Sequence, residues 1–189
     1  MRAVIIGSSC SGKTTLAKAI GKRTGIKHLE LDAVSWLPNW ESRDTNDLRR
    51  LVEIEVQKEN WIIDGNYTIL NDIIWSKATT ILWLNLPFYL IFYRAITRTI
   101  GRIFTKEELF SGCYETFCQS FFTKDSIIWW VITTWRKKRN QYRQIFDNPT
   151  NMNIDYIEIR SPGETEQLIE NIYKKYIKEN SINQLQEKP

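Results

Sequence analysis

Cysteine and histidine are nearly absent from this sequence: three Cys and a single His, His28, in 189 residues. An odd, sparse cysteine set supports no disulfide framework. Cys113 and Cys118 lack the second Cys/His pair that a zinc site requires. A reducing, cytoplasmic location is therefore expected. Glycine (8) and proline (5) are too few for a collagen-like or low-complexity chain. Long hydrophobic runs are also missing. The most apolar stretch, residues 81–93, is interrupted by Asn85 and Pro87, whereas a membrane span needs about 20 apolar residues; no membrane association is expected. The apolar run at the N-terminus ends at Gly7, too soon for a secretory signal. Nor is either charge in strong excess: 26 basic against 22 acidic side chains, a formal +4. A dedicated duplex-DNA binder carries a clearer basic excess. Nucleic acid is thus not the expected partner, although the balance leans toward anions.

What is present is a globular composition, 42% hydrophobic and 25% charged, which excludes wholesale disorder and at this length points to one domain, 1–189. Residues 2–6, 27–32, 61–65, 78–84 and 153–159 read as strands. Residues 13–24, 44–59, 66–75, 88–102, 106–122, 125–146 and 163–179 read as helices. Residues 33–43, with Trp36, Pro38 and Trp40, read as a loop, and the last ten residues as a frayed end. Strands alternating with helices imply a parallel sheet covered on both faces. The span 103–146 breaks the rhythm, with two helices and no strand between them, and reads as a helical lid on an α/β core.

The sharpest local signal is Gly7-Ser8-Ser9-Cys10-Ser11-Gly12-Lys13-Thr14, a G-x-x-x-x-G-K-[ST] motif with a strand before it and a helix, beginning Lys13-Thr14-Thr15, after it. Glycines at its ends permit backbone angles that a side chain forbids. The loop N–H groups, Gly7 to Thr15, then converge on an anion at a helix N-terminus. Lys13 reaches the β- and γ-phosphates of a nucleoside triphosphate, and the Thr14 hydroxyl serves Mg²⁺ on the same phosphates. ATP and Mg²⁺ are the expected cofactors. Cys10 contributes only backbone to such a loop, and its cation-rich setting favours a reactive thiol. His28 has no partner visible in the sequence and reads as structural or surface.

Two further segments give the motif a family. Trp61-Ile62-Ile63-Asp64-Gly65 resembles the strand-Asp-Gly of adenylate kinases, and Pro87 followed at fixed spacing by Arg94 and Arg98 resembles the entry to their lid. The chain is similar to the adenylate-kinase-like, nucleoside monophosphate kinase group of P-loop proteins. Within that group it resembles bacterial members named "DNA topology modulation protein", through Leu31-Asp32 followed by Trp36, the segment 61–67, and Gly112-Cys113 followed by Glu115. The resemblance implies a three-layer α/β/α fold with a five-stranded parallel sheet of order 2-3-1-4-5. It also implies that Arg94 packs on the nucleotide base and Arg98 contacts the transferring phosphates. An i, i+4 spacing puts both on one helix face; a solvated basic face is the other reading.

The acceptor side departs from that pattern. Adenylate kinases follow Asp-Gly with an aromatic, Pro and Arg, whereas Asn66, Tyr67 and Thr68 stand here. The arginine that grips an acceptor's phosphate is missing, which favours a less charged acceptor such as a nucleoside or another hydroxyl compound. Shikimate- and gluconate-kinase-like enzymes have an acid where Asp32 stands, so Asp32 is expected to orient the acceptor hydroxyl and take its proton; turn capping is its bland alternative. Asp64 serves the metal through water or caps the following turn. Trp36, Trp40 and Tyr67, near Gly65, either sandwich a planar acceptor or pack the core. For the basic run Trp135-Arg136-Lys137-Lys138-Arg139, the resemblance to adenylate-kinase-like lids implies that Arg136 and Arg139 face the phosphates; a charged outer face and a nucleic-acid patch are the other readings. Lys137, Lys138 and Arg143 are read as solvated.

These readings converge on a kinase passing the γ-phosphoryl group of MgATP to a small hydroxyl acceptor. The alternative is a nucleotide-dependent regulator or DNA-associated ATPase. Monomer and simple homodimer both remain open.

Overall fold

The computed structural model describes residues 1–38, 41–105, 126–149 and 151–186. The expected helix 106–122, together with Trp40, lies outside them. In chain order the elements are β1 (Arg2–Gly7), α1 (Lys13–Thr24), β2 (His28–Glu30), α2 (Leu31–Ser35), β3 (Trp36–Leu37) and β4 (Glu41–Ser42). There follow α3 (Thr45–Val56), β5 (Trp61–Asp64), a 3₁₀ turn at Thr68–Leu70, α4 (Asn71–Trp75) and β6 (Thr80–Leu84). The last are α5 (Phe88–Thr105), α6 (Ile127–Asp147), β7 (Asp155–Ile159) and α7 (Pro162–Gln186).

Five parallel strands form the sheet in the order β2-β5-β1-β6-β7. The numbered order is not 2-3-1-4-5, because β3 and β4 occupy third and fourth places in the chain and pair only with each other, antiparallel, outside the sheet. That hairpin, with α2 before it, corrects the reading of 33–43 as loop. Two other corrections follow. β2 stops at Glu30, so Asp32 sits in the first turn of α2 rather than at a strand end. The final helix runs to Gln186, past the expected end at 179.

The central strands β5, β1 and β6 are buried on both faces, so each reads as an apolar run rather than an alternation. Ala3 and Ile5 of β1 face one cluster with Leu16, Ala17 and Ile20 of α1 and the apolar stripe of α7. Val4 and Ile6 face the other, with Leu48 and Val52 of α3, Ile74 of α4 and Tyr142 of α6. Asp44 caps α3, its carboxylate accepting from the N–H groups of Asn46 and Asp47. A third cluster joins Leu86 to Ile91 and Ala95 of α5 and Val131 of α6. Of the expected lid, the described parts are the end of α5 and the whole of α6, which packs on the core through that cluster. This layering gathers the C-terminal ends of β1, β2, β5, β6 and β7 along one edge.

Candidate active site

β1 ends at Gly7, and the next five residues turn the chain into α1. Gly12, the residue before α1, has φ of 100°, a left-handed backbone that suits glycine. Lys13 lies back across the loop, its Nζ donating to the carbonyls of Ser8 at 3.0 Å and Gly7 at 3.3 Å. The Ser8 and Ser11 hydroxyls are buried and have no hydrogen-bond partner among the described residues. Orphaned buried hydroxyls are costly; two of them beside a helix N-terminus and a lysine suit an anion. Ser9 and Cys10 are half-buried, Cys10 in a left-handed backbone (φ 61°) and packed on the α5–α6 cluster, and Thr15 is exposed. Arg94 braces the loop, its Nη1 donating to the Ser11 carbonyl at 2.9 Å, while Arg98, one turn on, is exposed. Asn66, unremarked as a ligand in the sequence, clamps the loop from below. Its amide accepts from Gly7 N–H at 3.3 Å and donates to Gly7 C=O.

Thr14 meets two carboxylates. Its Oγ1 lies 2.7 Å from Asp64 Oδ2 and 3.2 Å from Glu30 Oε1. A hydroxyl has one proton, and ionised carboxylates only accept, so at most one of these contacts is a hydrogen bond. The shorter one, to Asp64, takes it, and Glu30 faces the hydroxyl without a proton. Such an all-oxygen set suits a divalent cation of the Mg²⁺ kind, which keeps much of its water and takes few protein ligands. Among the described residues no group of three or more His, Cys, Asp or Glu could enclose a metal. Asp64 is buried, and its other oxygen, Oδ1, lies 2.7 Å from His28 Nε2. His28 therefore belongs to the site rather than to the surface. Glu30 was also missed; the register that sets Glu30 against Asp64 is a tertiary fact with no mark in the sequence.

Asp32 reaches the same edge from α2. The Tyr67 hydroxyl donates to its Oδ1 at 3.0 Å. Burial, and then the negative charge of Asp32, raise the Tyr67 phenol above its ordinary pKa, so it stays a donor. Trp36 is half-buried at the start of β3. Gly65 has a packing role: φ is 141°, and a Cβ there would fall 2.7 Å from Leu31 Cβ.

On α6, Val131, Trp135, Lys138 and Tyr142 form the inward stripe, lined up at steps of three and four residues. Lys138 is thus turned inward rather than solvated. It shares a cavity of about 10 Å³ with Ser8, Asn85, Arg139 and Tyr142, and its Nζ stands 5.6 Å from the Trp130 ring centre. Burial, then the nearby charge of Lys13, push its pKa down to about 8, with Asp32 pulling the other way. Arg136 points to solvent. Arg139 donates through Nε to Asn85 Oδ1 at 3.0 Å and lies over Trp135. Arg143, also read as solvated, forks onto Glu158 with contacts of 2.6 and 3.0 Å. Glu158 accepts in addition from Asn85 and Arg160. Burial alone would raise the Glu158 carboxyl; these hydrogen bonds overcome it and hold the pKa at about 2. Arg139, Arg143 and Arg160, with Phe88 and Trp135, line an open cleft of about 440 Å³ beside this cluster.

A strand-loop-helix with Lys13 folded over the loop, at the edge of a five-stranded parallel sheet, defines a P-loop α/β fold. Solved structures agree. Shikimate kinase from Bacteroides thetaiotaomicron superposes with a TM-score of 0.53 at 15% identity, covering 92% of this chain and 96% of that one. Shikimate kinase from Aquifex aeolicus is similar over 98% of this chain and 99% of that one, at 17% identity and a TM-score of 0.48. A gluconokinase from Sinorhizobium meliloti is similar over 98% and 96%, at 13% identity and a TM-score of 0.48. At such identities the likeness is one of fold. No protein-family model and no curated protein sequence matches the chain.

Proposed function

We propose that this protein is a small-molecule kinase that transfers the γ-phosphoryl group of MgATP to a hydroxyl acceptor. The observation that carries the reading is the loop itself: Lys13 over Gly7 and Ser8, two buried unpartnered serine hydroxyls, and Thr14 facing Asp64 and Glu30. Mg²⁺ on the triphosphate would neutralise charge on the transferring group, held near Thr14 with Asp64 and Glu30 behind it. Lys13 binds the phosphates. Arg94 and Asn66 hold the loop in shape, and Arg98 faces the solvent side of the same helix.

Asp32 is assigned to the acceptor. Its carboxylate, fixed by the Tyr67 hydroxyl, takes the hydroxyl proton as the oxygen attacks phosphorus. Lys138 is assigned to charge on the phosphoryl group in flight, the part the sequence suggested for Arg136 and Arg139. A fold shared with shikimate kinase supports the small-molecule class and leaves the acceptor's identity open. The lost arginine after Asp64-Gly65 supports an acceptor that carries no phosphate. A DNA-associated ATPase, of the topology-modulation kind, is not favoured by this likeness.

The test is ADP release with MgATP against a panel of nucleosides, nucleoside monophosphates and small hydroxy acids, with Lys13→Ala beside the wild type. Stimulation by one acceptor class, lost in Lys13→Ala, is expected. ATP binding with slow hydrolysis that no acceptor stimulates would overturn the kinase reading.

A further inference from the structure

His28 is the one histidine of the chain, and it is placed where the phosphate chemistry proposed above would feel it. β2 runs parallel to β5 with His28 opposite Ile62 and Glu30 opposite Asp64. His28 and Asp64 are therefore diagonal neighbours on one sheet face, the face that α1 covers. Gly21 of α1 lets the helix come close there: a Cβ would stand 2.9 Å from Ile26 O and 4.0 Å from His28 Cβ. The two side chains are 11% and 3% exposed.

The hydrogen-bond count then determines the direction of the contact. An ionised Asp64 only accepts, so the 2.7 Å contact to Oδ1 requires a proton on His28 Nε2. The 2.7 Å contact to Oδ2 uses the Thr14 proton. Both oxygens are thereby pinned, and the carboxylate cannot rotate about its last bond without losing a buried hydrogen bond. Thr14 Oγ1, its proton given to Asp64, is left with lone pairs only, and Glu30 Oε1 stands 3.2 Å from it. An aliphatic residue would fill the position of His28 at less desolvation cost, so packing does not account for an imidazole there.

We infer that His28 is a positioning residue: its Nε2–H holds Asp64 so that Asp64 in turn orients the Thr14 hydroxyl toward a metal–nucleotide complex. The inference rests on the reading of the loop as an MgATP site. Hydrogen-bonding partners behind metal ligands typically alter metal affinity by about 10–100-fold. His28→Leu removes the donor. His28→Gln keeps one, because the glutamine amide nitrogen reaches about as far as imidazole Nε2.

The experiment measures ATP affinity by calorimetry in EDTA and across a Mg²⁺ titration, for the wild type and both variants. The expected result is an apparent Mg²⁺ affinity weakened about tenfold in His28→Leu, with metal-free ATP binding unchanged and most of the loss restored in His28→Gln. A Mg²⁺ dependence in His28→Leu equal to that of the wild type, whatever its melting temperature, would overturn the inference and leave the nucleotide site intact. A wild type whose ATP affinity gains nothing from Mg²⁺ would overturn the nucleotide reading first. Should His28→Leu fail to fold, nitrogen NMR of the wild type decides, since a lone histidine gives one imidazole spin system. A proton on Nε2, with a shift on adding MgATP that ATP in EDTA does not produce, supports the role. The Nδ1–H tautomer, or no such difference, overturns it.

Discussion

Lys138 occupies a position where a charge is costly. It continues a stripe whose other members, Val131, Trp135 and Tyr142, are apolar or aromatic, and Lys13 lies near enough to repel it. With its pKa at about 8, the folded protein releases this proton at a pH where the unfolded chain still holds it. Between about pH 8 and the usual lysine range the unfolded state binds more protons, so this group makes stability rise with pH. Urea unfolding of the wild type and Lys138→Met at pH 7 and pH 9.5 is expected to show the variant's relative advantage shrinking at the higher pH. A gap independent of pH would mean that Lys138 is solvated. Gly65 is constrained by space instead. Gly65→Ala puts a methyl 2.7 Å from Leu31 Cβ in a left-handed backbone, and a loss of about 1–3 kcal/mol is expected, read from the urea midpoint.

Among the elements, α6 is tied to the ends of β6 and β7 by a network of polar contacts. Arg139 holds Asn85 at the end of β6, Arg143 holds Glu158 on β7, and Asn85 and Glu158 hold each other. Arg143 also lies over the Trp83 ring, 4.9 Å from its centre. The network fixes the register of the helix and so the inward direction of Lys138. Glu158→Gln removes the charge that Arg143 and Arg160 share, and a loss of about 1–3 kcal/mol is expected in urea at pH 7. The sign with pH also follows. A carboxyl held at about 2 stabilises the fold above the ordinary carboxylate range, and that contribution is lost as pH falls from about 4.5 toward 2. The difference between wild type and variant is expected to close across that interval.

At the scale of the whole molecule, ligand binding reports on the complete site. MgATP that binds only the folded state at one hundred times its Kd stabilises by about 2.7 kcal/mol. A raised Tm with MgATP in the wild type and none in Lys13→Ala is the expected outcome of a melting series. The same scale explains which features were legible beforehand. The sheet and its helices follow from apolar runs punctuated by Gly7, Gly25 and Gly65, and the loop follows from a contiguous motif. Asp32, Tyr67, Lys13 and Thr14 are legible as candidates because each stands in or beside a recognisable string; Glu30, His28 and Asn66 carry no such mark. The partners of these three lie 16, 36 and 59 residues away. The hairpin β3–β4 escaped notice because two-residue strands leave no periodicity to read.

Local backbone freedom and short hydrophobic periods are enough to specify the α/β class and the phosphate loop, so both are legible in the chain itself. Which charges face the loop is set by packing between distant segments. A helix of uncertain register can present any of five neighbouring cations. Only the burial of Trp135 and Tyr142, with the ties from Arg139 and Arg143, selects Lys138 and leaves Arg136 outside. Likewise, strand register alone brings His28 and Glu30 to Asp64 and Thr14, because pairing across a parallel sheet is set by packing on both its faces rather than by neighbours in the chain.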